Sequence, residues 1–435
     1  MLTPMYAGTR RLRMLPPSTD PGSSHKSSEA REEGEGRMVQ VGPYTVDELR
    51  AETRGCSERI HLNNAGAGLM PNTVVQAIRD HIELEARIGG YEASDHRGEA
   101  IDACYMAVGR LLAAAPSSIA FVENATVAYA QALSAIPFQA GDAVVTSQND
   151  YISNQIMFLA LTRRYGIEVV RAPEHPDGGF DPEGTCRLIR SREPVLVAMT
   201  HIPTNSGLVQ PVGTLAEACR EVGAWYLVDA CQSLGQMPLD VDEIGCDFLS
   251  ATSRKFLRGP RGAGFLYISE RALDAGLEPL YVDMRGADWT GPDTYEPRPT
   301  ARRFENWEFA YALVLGTGEA ARLARSLGLD AIRARSWALA AEAREGLSAV
   351  GGATVLDRGA QRSAIVTAHL AGWSPEELHQ ELFRRGFNTS VTRREYAQID
   401  FAEKGFDWAI RLSPHYYNTE DEVSAFVAAI ADLSR

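Results

Sequence analysis

Ala251-Thr-Ser-Arg-Lys-Phe-Leu-Arg-Gly-Pro-Arg-Gly-Ala-Gly-Phe-Leu-Tyr267 is the stretch on which the reading of this 435-residue chain turns. Lys255 stands between small hydroxyl residues and a turn rich in Gly and Pro, and the apolar run that follows reads as a strand. Upstream, Tyr226-Leu-Val-Asp-Ala-Cys-Gln-Ser233 is an apolar strand that ends in an acid. Between residue 118 and this pair, short Val-rich runs at 119–122, 143–146, 168–171, 195–200 and 225–228 alternate with helical patterns at 125–136, 153–165, 182–190 and 212–222. That alternation predicts an α/β fold whose mostly parallel sheet is covered by helices on both faces. Ligands of such sheets sit at the carboxyl ends of the strands, where Ser147, Thr200, His201 and Asp229 fall.

A lysine in such a turn, with an acid at a neighbouring strand end, suits a Schiff base to pyridoxal phosphate with a carboxylate under the pyridine nitrogen. From about Leu62 to the C-terminus the chain resembles the class V aminotransferase/cysteine desulfurase family of fold-type-I pyridoxal-phosphate enzymes. The resemblance rests on the Lys255 loop, on Asp229-x-x-Gln232, on His201-Ile-Pro-Thr-Asn-Ser-Gly-Leu-Val-Gln-Pro211 and on Ile410-Arg-Leu-Ser-Pro-His-Tyr-Tyr-Asn418. It implies that Lys255 carries the cofactor and moves protons, that Asp229 holds the pyridinium nitrogen, and that Gln232 meets the ring hydroxyl, with Thr204 near it. It places the phosphate at Thr126 and the N–H groups of Ala125 and Val127, where a strand turns into a helix start, with Thr252 and Arg254 as further contacts. Tyr151 takes the stacking position that desulfurases give to histidine. Arg411 matches the arginine that clamps a substrate α-carboxylate, a task suited to a bidentate guanidinium. Asn64, in the small-residue stretch 61–68, and Asn205 are placed with it as substrate contacts. His201 reads equally as a near-core histidine or a direct participant. A homodimer is implied, with 277–308 near the partner.

Two departures shape the functional expectation. Desulfurases of the family carry a nucleophilic cysteine before the C-terminal arginine, and 386–410 contains none. The family's Arg-Phe-Glu-x-Gly-Thr appears as Arg303-Phe-Glu-Asn-Trp-Glu308, with Glu308 where a threonine reaches the partner subunit's phosphate. The expectation is therefore a carbon–sulfur lyase acting by β-elimination on a cysteine conjugate, not a persulfide-forming desulfurase. The alternatives are an aminotransferase or an amino-acid epimerase and, more remotely, a protein that binds the cofactor without turnover. Arg258, Arg261, Arg393 and Arg394 suggest an anionic or polar substrate side chain.

Composition sets the outer limits. A formal net charge of −14 argues against nucleic-acid or anionic-membrane surfaces. The six cysteines, Cys56, Cys104, Cys186, Cys219, Cys231 and Cys246, show no metal-ligand spacing, so no metal site is expected. No run approaches the roughly 18 apolar residues of a membrane span, and Arg10, Arg11 and Arg13 precede no apolar segment, so a cytoplasmic enzyme is expected. Residues 1–37 are expected to be a disordered extension, with Met38 as an alternative start. Residues 38–60 should pack on a small domain, 61–305 should form the large cofactor-binding domain, and 306–435 the small α+β domain. The Pro- and Gly-rich 277–303 reads as one long irregular loop.

Overall fold

The computed structural model describes residues 39–435; the expected extension at 1–37 and Met38 lie outside them. The centre is a seven-stranded sheet built from β1 (Ile119–Val122), β2 (Ala143–Thr146), β3 (Glu168–Arg171), β4 (Leu196–Thr200), β5 (Trp225–Asp229), β6 (Phe248–Thr252) and β7 (Gly264–Ile268). Their order across the sheet is β1-β7-β6-β5-β4-β2-β3. Alternate residues of these strands go to opposite faces, as a period of two requires. Phe121, Val145, Val197, Val228, Leu249 and Phe265 enter one buried cluster. Their neighbours Ala120, Val144, Ala198, Leu227, Phe248 and Leu266 enter another on the opposite face. Both faces are dry, which is why the strands read as continuous apolar runs; each large side chain so buried contributes about 1.5–3 kcal/mol.

The strands β2 to β6 pair in parallel, whereas β7 runs antiparallel to both β6 and β1. The reason lies in the lysine loop. A parallel return needs a crossover of a dozen or more residues, usually helical, and the loop between Thr252 and Gly264 contains no helix. Strand β6 itself, which the sequence reading passed over, ends directly at Ser253-Arg254-Lys255.

Residues 277–303 are not one irregular loop. They contain a hairpin of β8 (Ala287–Gly291) and β9 (Thr294–Pro297), in which Trp289 opposes Tyr295. After the hairpin come two helices, Tyr311–Leu327 and Leu329–Ser348, divided at Gly328 (φ +83°). The first buries Val314, Leu315 and Ala321 in the same core as Val108 of helix Gly98–Leu111, so packing runs on across residue 306. The second joins a four-stranded antiparallel sheet of Ala353–Val355, Val366–Leu370, Trp408–Leu412 and Ser390–Arg393, in that order, with its own apolar core. Near the chain's beginning, Val41, Val46 and Leu49 enter the large core, while Arg50 pairs with Glu422 of the final helix. All six cysteines are free.

Two close approaches set the site's dimensions. A Cβ on Gly264 would sit 2.7 Å from the Ala251 carbonyl oxygen, 2.8 Å from the Asn124 carbonyl carbon and 2.9 Å from the Ala125 nitrogen. A Cβ on Gly68 would sit 2.7 Å from the Lys255 carbonyl oxygen. Gly264 thus allows the helix that starts at Ala125 to lie against β6 and β7. Gly264→Ala, which pushes on backbone alone, should lose about 1–3 kcal/mol in urea unfolding. Gly351→Ala, with nothing within 4 Å of its new Cβ, should stay within about 0.5 kcal/mol of the parent. Equal stabilities would show that the helix start is not held by this contact.

Candidate active site

The carboxyl ends of β1, β2, β4, β5 and β6 and the amino end of β7 lie along one edge of the sheet, and a cavity of about 520 Å³ opens there. Each strand delivers part of the wall: Thr126 after β1, Tyr151 and Asn154 after β2, Thr204 after β4, Asp229 and Gln232 at the end of β5, Lys255 after β6. The sheet brings together groups up to 129 positions apart in the chain, from Thr126 to Lys255, with no contribution from a repeat or local motif.

The lysine is buried, and burial lowers its pKa, helped by the positive charges of Arg254 and Arg411. Its Nζ lies 5.9 Å from the centre of the Tyr151 ring. Asp229 is buried; its Oδ1 accepts from the Cys231 N–H at 2.9 Å and its Oδ2 from Asn154 Nδ2 at 3.1 Å. Gln232 donates to Thr204 Oγ1 at 2.8 Å and to the Ala65 carbonyl at 3.1 Å, leaving its Oε1 buried without a partner. Arg411 donates to both the carbonyl and the hydroxyl of Thr204 and to Asn63 Oδ1, and its Nε is likewise buried and unpartnered. Burial and the nearby Arg254 lower its pKa to about 10, so it stays charged at neutral pH.

At the other end of the cavity the helix Ala125–Ala135 begins. Its N–H groups at Ala125 and Thr126 have no hydrogen-bond partner among the described residues, while that of Val127 is spent on Asn124 Oδ1 at 3.0 Å. The phosphate contact expected of Val127 is therefore corrected: the Asn124 cap already satisfies that donor. Thr252, Arg254 and Arg261 line the same cavity. Arg254 also donates to the Gly66 carbonyl.

The two asparagines expected to meet substrate point into the protein. Asn64 donates to the Ser413 carbonyl at 2.8 Å and accepts from Tyr417 OH at 2.5 Å. Asn205 gives its amide to Asp400 Oδ2 at 2.7 Å and Asn149 Oδ1 at 3.3 Å. Neither reaches the cavity wall, because a buried amide goes where its hydrogen bonds can be met. His201 is buried off the wall, and burial lowers its pKa to about 4, which keeps it neutral. Of the four extra arginines, Arg258 is buried against Tyr416 and Tyr417, and donates to Thr53 and to the Leu69 carbonyl. Arg393 pairs with Glu376 and Arg394 with Asp407. Arg261 alone of the four lines the cavity. Glu308 lines a small recess beside it with Glu123 and Gly262. The sequence reading missed Asp150, Asn154 and Cys231; an acid three residues past Ser147, at the strand end, was the available signal for the first.

These groups fit pyridoxal phosphate. The helix start and the basic residues suit its phosphate, Asp229 its pyridine nitrogen, the Tyr151 ring its face, and Lys255 its aldehyde; the unpartnered Gln232 Oε1 suits a ring hydroxyl that donates. Among the described residues there is no metal-ligand cluster, and no helix is long and apolar enough to cross a membrane.

Comparison with known proteins agrees with this chemistry. A protein of Halobacterium salinarum named a probable cysteine desulfurase is 29% identical over 424 residues, covering 90% of this chain and 97% of its own. A probable hercynylcysteine sulfoxide lyase of Mycobacterium tuberculosis is 28% identical, covering 91% of this chain and 95% of its own. The solved apo cysteine desulfurase of Thermococcus onnurineus shares the fold, with a TM-score of 0.83 at 23% identity over 91% of this chain and 99% of that one. The model of the aminotransferase class-V family matches residues 60–426. The chain is thus a fold-type-I, pyridoxal-phosphate-dependent enzyme of the aminotransferase class-V family.

Proposed function

We propose that this enzyme is a cysteine desulfurase that passes the sulfur of L-cysteine to an acceptor thiol and leaves L-alanine. The observation that carries the reading is the meeting of Lys255 and Asp229 at one cavity whose wall residue Thr204 holds Arg411 behind it, set beside relatives named cysteine desulfurases over most of the chain. Those relatives overturn the expectation of a carbon–sulfur lyase in place of a desulfurase. That expectation rested on the absence of a cysteine from 386–410. An interval of sequence does not define which thiols reach a site; here β5 brings Cys231 to the cavity wall from elsewhere.

In this reading Arg411 binds the α-carboxylate of the amino acid through a paired set of N–H donors. Lys255, whose lowered pKa makes its amine easier to deprotonate, takes the Cα proton and returns one to the product. Asp229, fixed by the Cys231 N–H and by Asn154, holds the pyridine nitrogen. The bound cofactor supplies an electron sink for the electrons left on Cα. Overall, L-cysteine and a thiol RSH give L-alanine and RS–SH: the Cβ–S bond breaks, an S–S bond forms, and the thiol proton ends on carbon. The acceptor is a thiol from solution. Cys231 is a poor attacking group, since burial and the neighbouring Asp229 carboxylate raise its pKa and keep it protonated.

We also propose a homodimer. Tyr281, Met284, Trp289 and Tyr295 expose large apolar surface on and before the hairpin, of the kind that marks an interaction face.

Incubated with L-cysteine and dithiothreitol, the holoenzyme should release alanine and sulfide in equal amounts; pyruvate and ammonia in their place would overturn the assignment. The visible absorbance gained on adding pyridoxal phosphate should be lost in Lys255→Ala. Arg411→Lys should raise KM for cysteine about tenfold or more, the equivalent of about 1.4 kcal/mol, while the absorbance is kept. Light scattering should give twice the chain mass, and a monomer with full activity would sink the dimer.

A further inference from the structure

Asp150 is a buried carboxylate that the roles above do not use, and it has an unusual surround. Its two oxygens accept from Asn154 Nδ2 at 3.0 Å, the Tyr151 N–H at 2.7 Å, Gln155 Nε2 at 2.6 Å, Thr146 Oγ1 at 3.2 Å and Thr200 Oγ1. Five donors and no cation satisfy it. One of those donors is shared: Asn154 Nδ2 also donates to Asp229 Oδ2 at 3.1 Å. A single amide group therefore bridges two buried acids, one of them the carboxylate placed under the pyridine nitrogen.

The geometry points to Asp150 and Asn154 as a positioning pair for the cofactor cavity, with Asn154 aiming the Asp229 carboxylate and Asp150 fixing both Asn154 and the backbone that carries the Tyr151 ring. The argument is one of counting donors. An Asp229 with only the Cys231 N–H could turn about its side-chain torsions; the second bond, to the other oxygen, removes that freedom. Asn154 in turn can hold its NH₂ toward Asp229 because Asp150 accepts from the same nitrogen. Tyr151 lies next in the chain, and its N–H is bound by the same Asp150 oxygen that binds Asn154. One buried acid thus sets both the group at the ring nitrogen and the aromatic side chain near Lys255.

The electrostatics follow. Burial raises the pKa of Asp150, and the charge of Asp229 adds to it. The other ionisable groups whose charges register are Arg171 and Tyr129 around Asp150, and Cys231, Lys255 and Tyr129 around Asp229. Arg171 is the one cation among them that feels Asp150, and its guanidinium donates instead to the Ser147 carbonyl at 3.5 Å. The neutral donors, not an ion pair, therefore hold Asp150.

The test compares holoenzymes of the parent, Asn154→Ala and Asp150→Asn, and it rests on the cofactor assignment but not on the identity of the substrate. The visible spectrum of the bound cofactor is titrated with pH, and kcat and KM for L-cysteine are measured beside it. In both variants the midpoint of the spectral titration should move by about half a pH unit or more. The kcat should fall about tenfold with KM within about twofold, because the lost interaction orients the cofactor and not the amino acid. A merely structural role would lower the melting temperature and leave the titration of the folded enzyme where it was. Parental titration and kcat in folded Asn154→Ala overturn the proposal. Should Asn154→Ala fail to fold, Asp150→Asn, which keeps the shape and removes the charge, decides it by the same two readouts. An enzyme that makes no alanine from cysteine refutes the desulfurase assignment but leaves the spectral titration to decide this one.

Discussion

Taking charge out of water is the constraint around which the site is arranged. Lys255 and Arg411 are buried with Arg254 beside them; burial lowers the pKa of all three, Arg254 lowers those of Lys255 and Arg411 further, and Arg411 that of Lys255. Desolvated cations of one sign repel and are costly unless acids or bound anions offset them. Within the cavity wall Asp229 and Glu123 are the acids, and neither forms an ion pair with the three cations among the described residues. The surplus positive potential is what an anionic cofactor phosphate and a substrate carboxylate would neutralise, so these charges select the ligands. It also follows that the lysine can shed its proton more readily than a surface lysine, the property its chemistry needs.

That arrangement is possible because the sheet's strand ends coincide on one edge. Strands β1, β2, β4, β5 and β6 finish near the cavity, and β7 begins there, since its antiparallel return brings Arg261 and Gly262 back to the edge that Lys255 has just left. The glycine at the start of β7 lets a helix start come within contact of β6. The packing that stabilises the sheet and the geometry that gathers the reactive groups are one construction: alternating side chains bury both faces, which fixes the register, and the register fixes which residue ends each strand.

The legible part of the sequence was the part governed by period and by strand ends. Lys255, Asp229, Gln232, Thr126 and Tyr151 follow apolar runs, and all of them line the cavity. The parts that misled depend on distant partners. Asn64 and Asn205 looked available, but their amides are satisfied by groups 349 and 195 positions away. The Val127 N–H looked free until the Asn124 side chain folded back on it. Arg258 looked like a cavity cation, yet it is enclosed by two tyrosines, and residues 287–297 hide a hairpin because their strands expose both faces to solvent and lack the alternation that marks a half-buried strand.

The same distinction bears on the reaction. A lysine, an acid and an arginine at strand ends are needed by any chemistry that binds an amino acid on pyridoxal phosphate, so the fold transmits them to the sequence as motifs. The fate of the substrate's sulfur depends instead on which thiol can reach Cβ–S, and that is a property of the assembled cavity. Here β5 places Cys231 on the wall, but it does so beside Asp229, where the carboxylate's charge opposes the thiolate. An enzyme built this way gains an acid fixed under the ring nitrogen and loses a protein nucleophile at that position. Under the desulfurase reading proposed above, the sulfur acceptor comes from solution, and turnover should depend on its concentration as a second substrate.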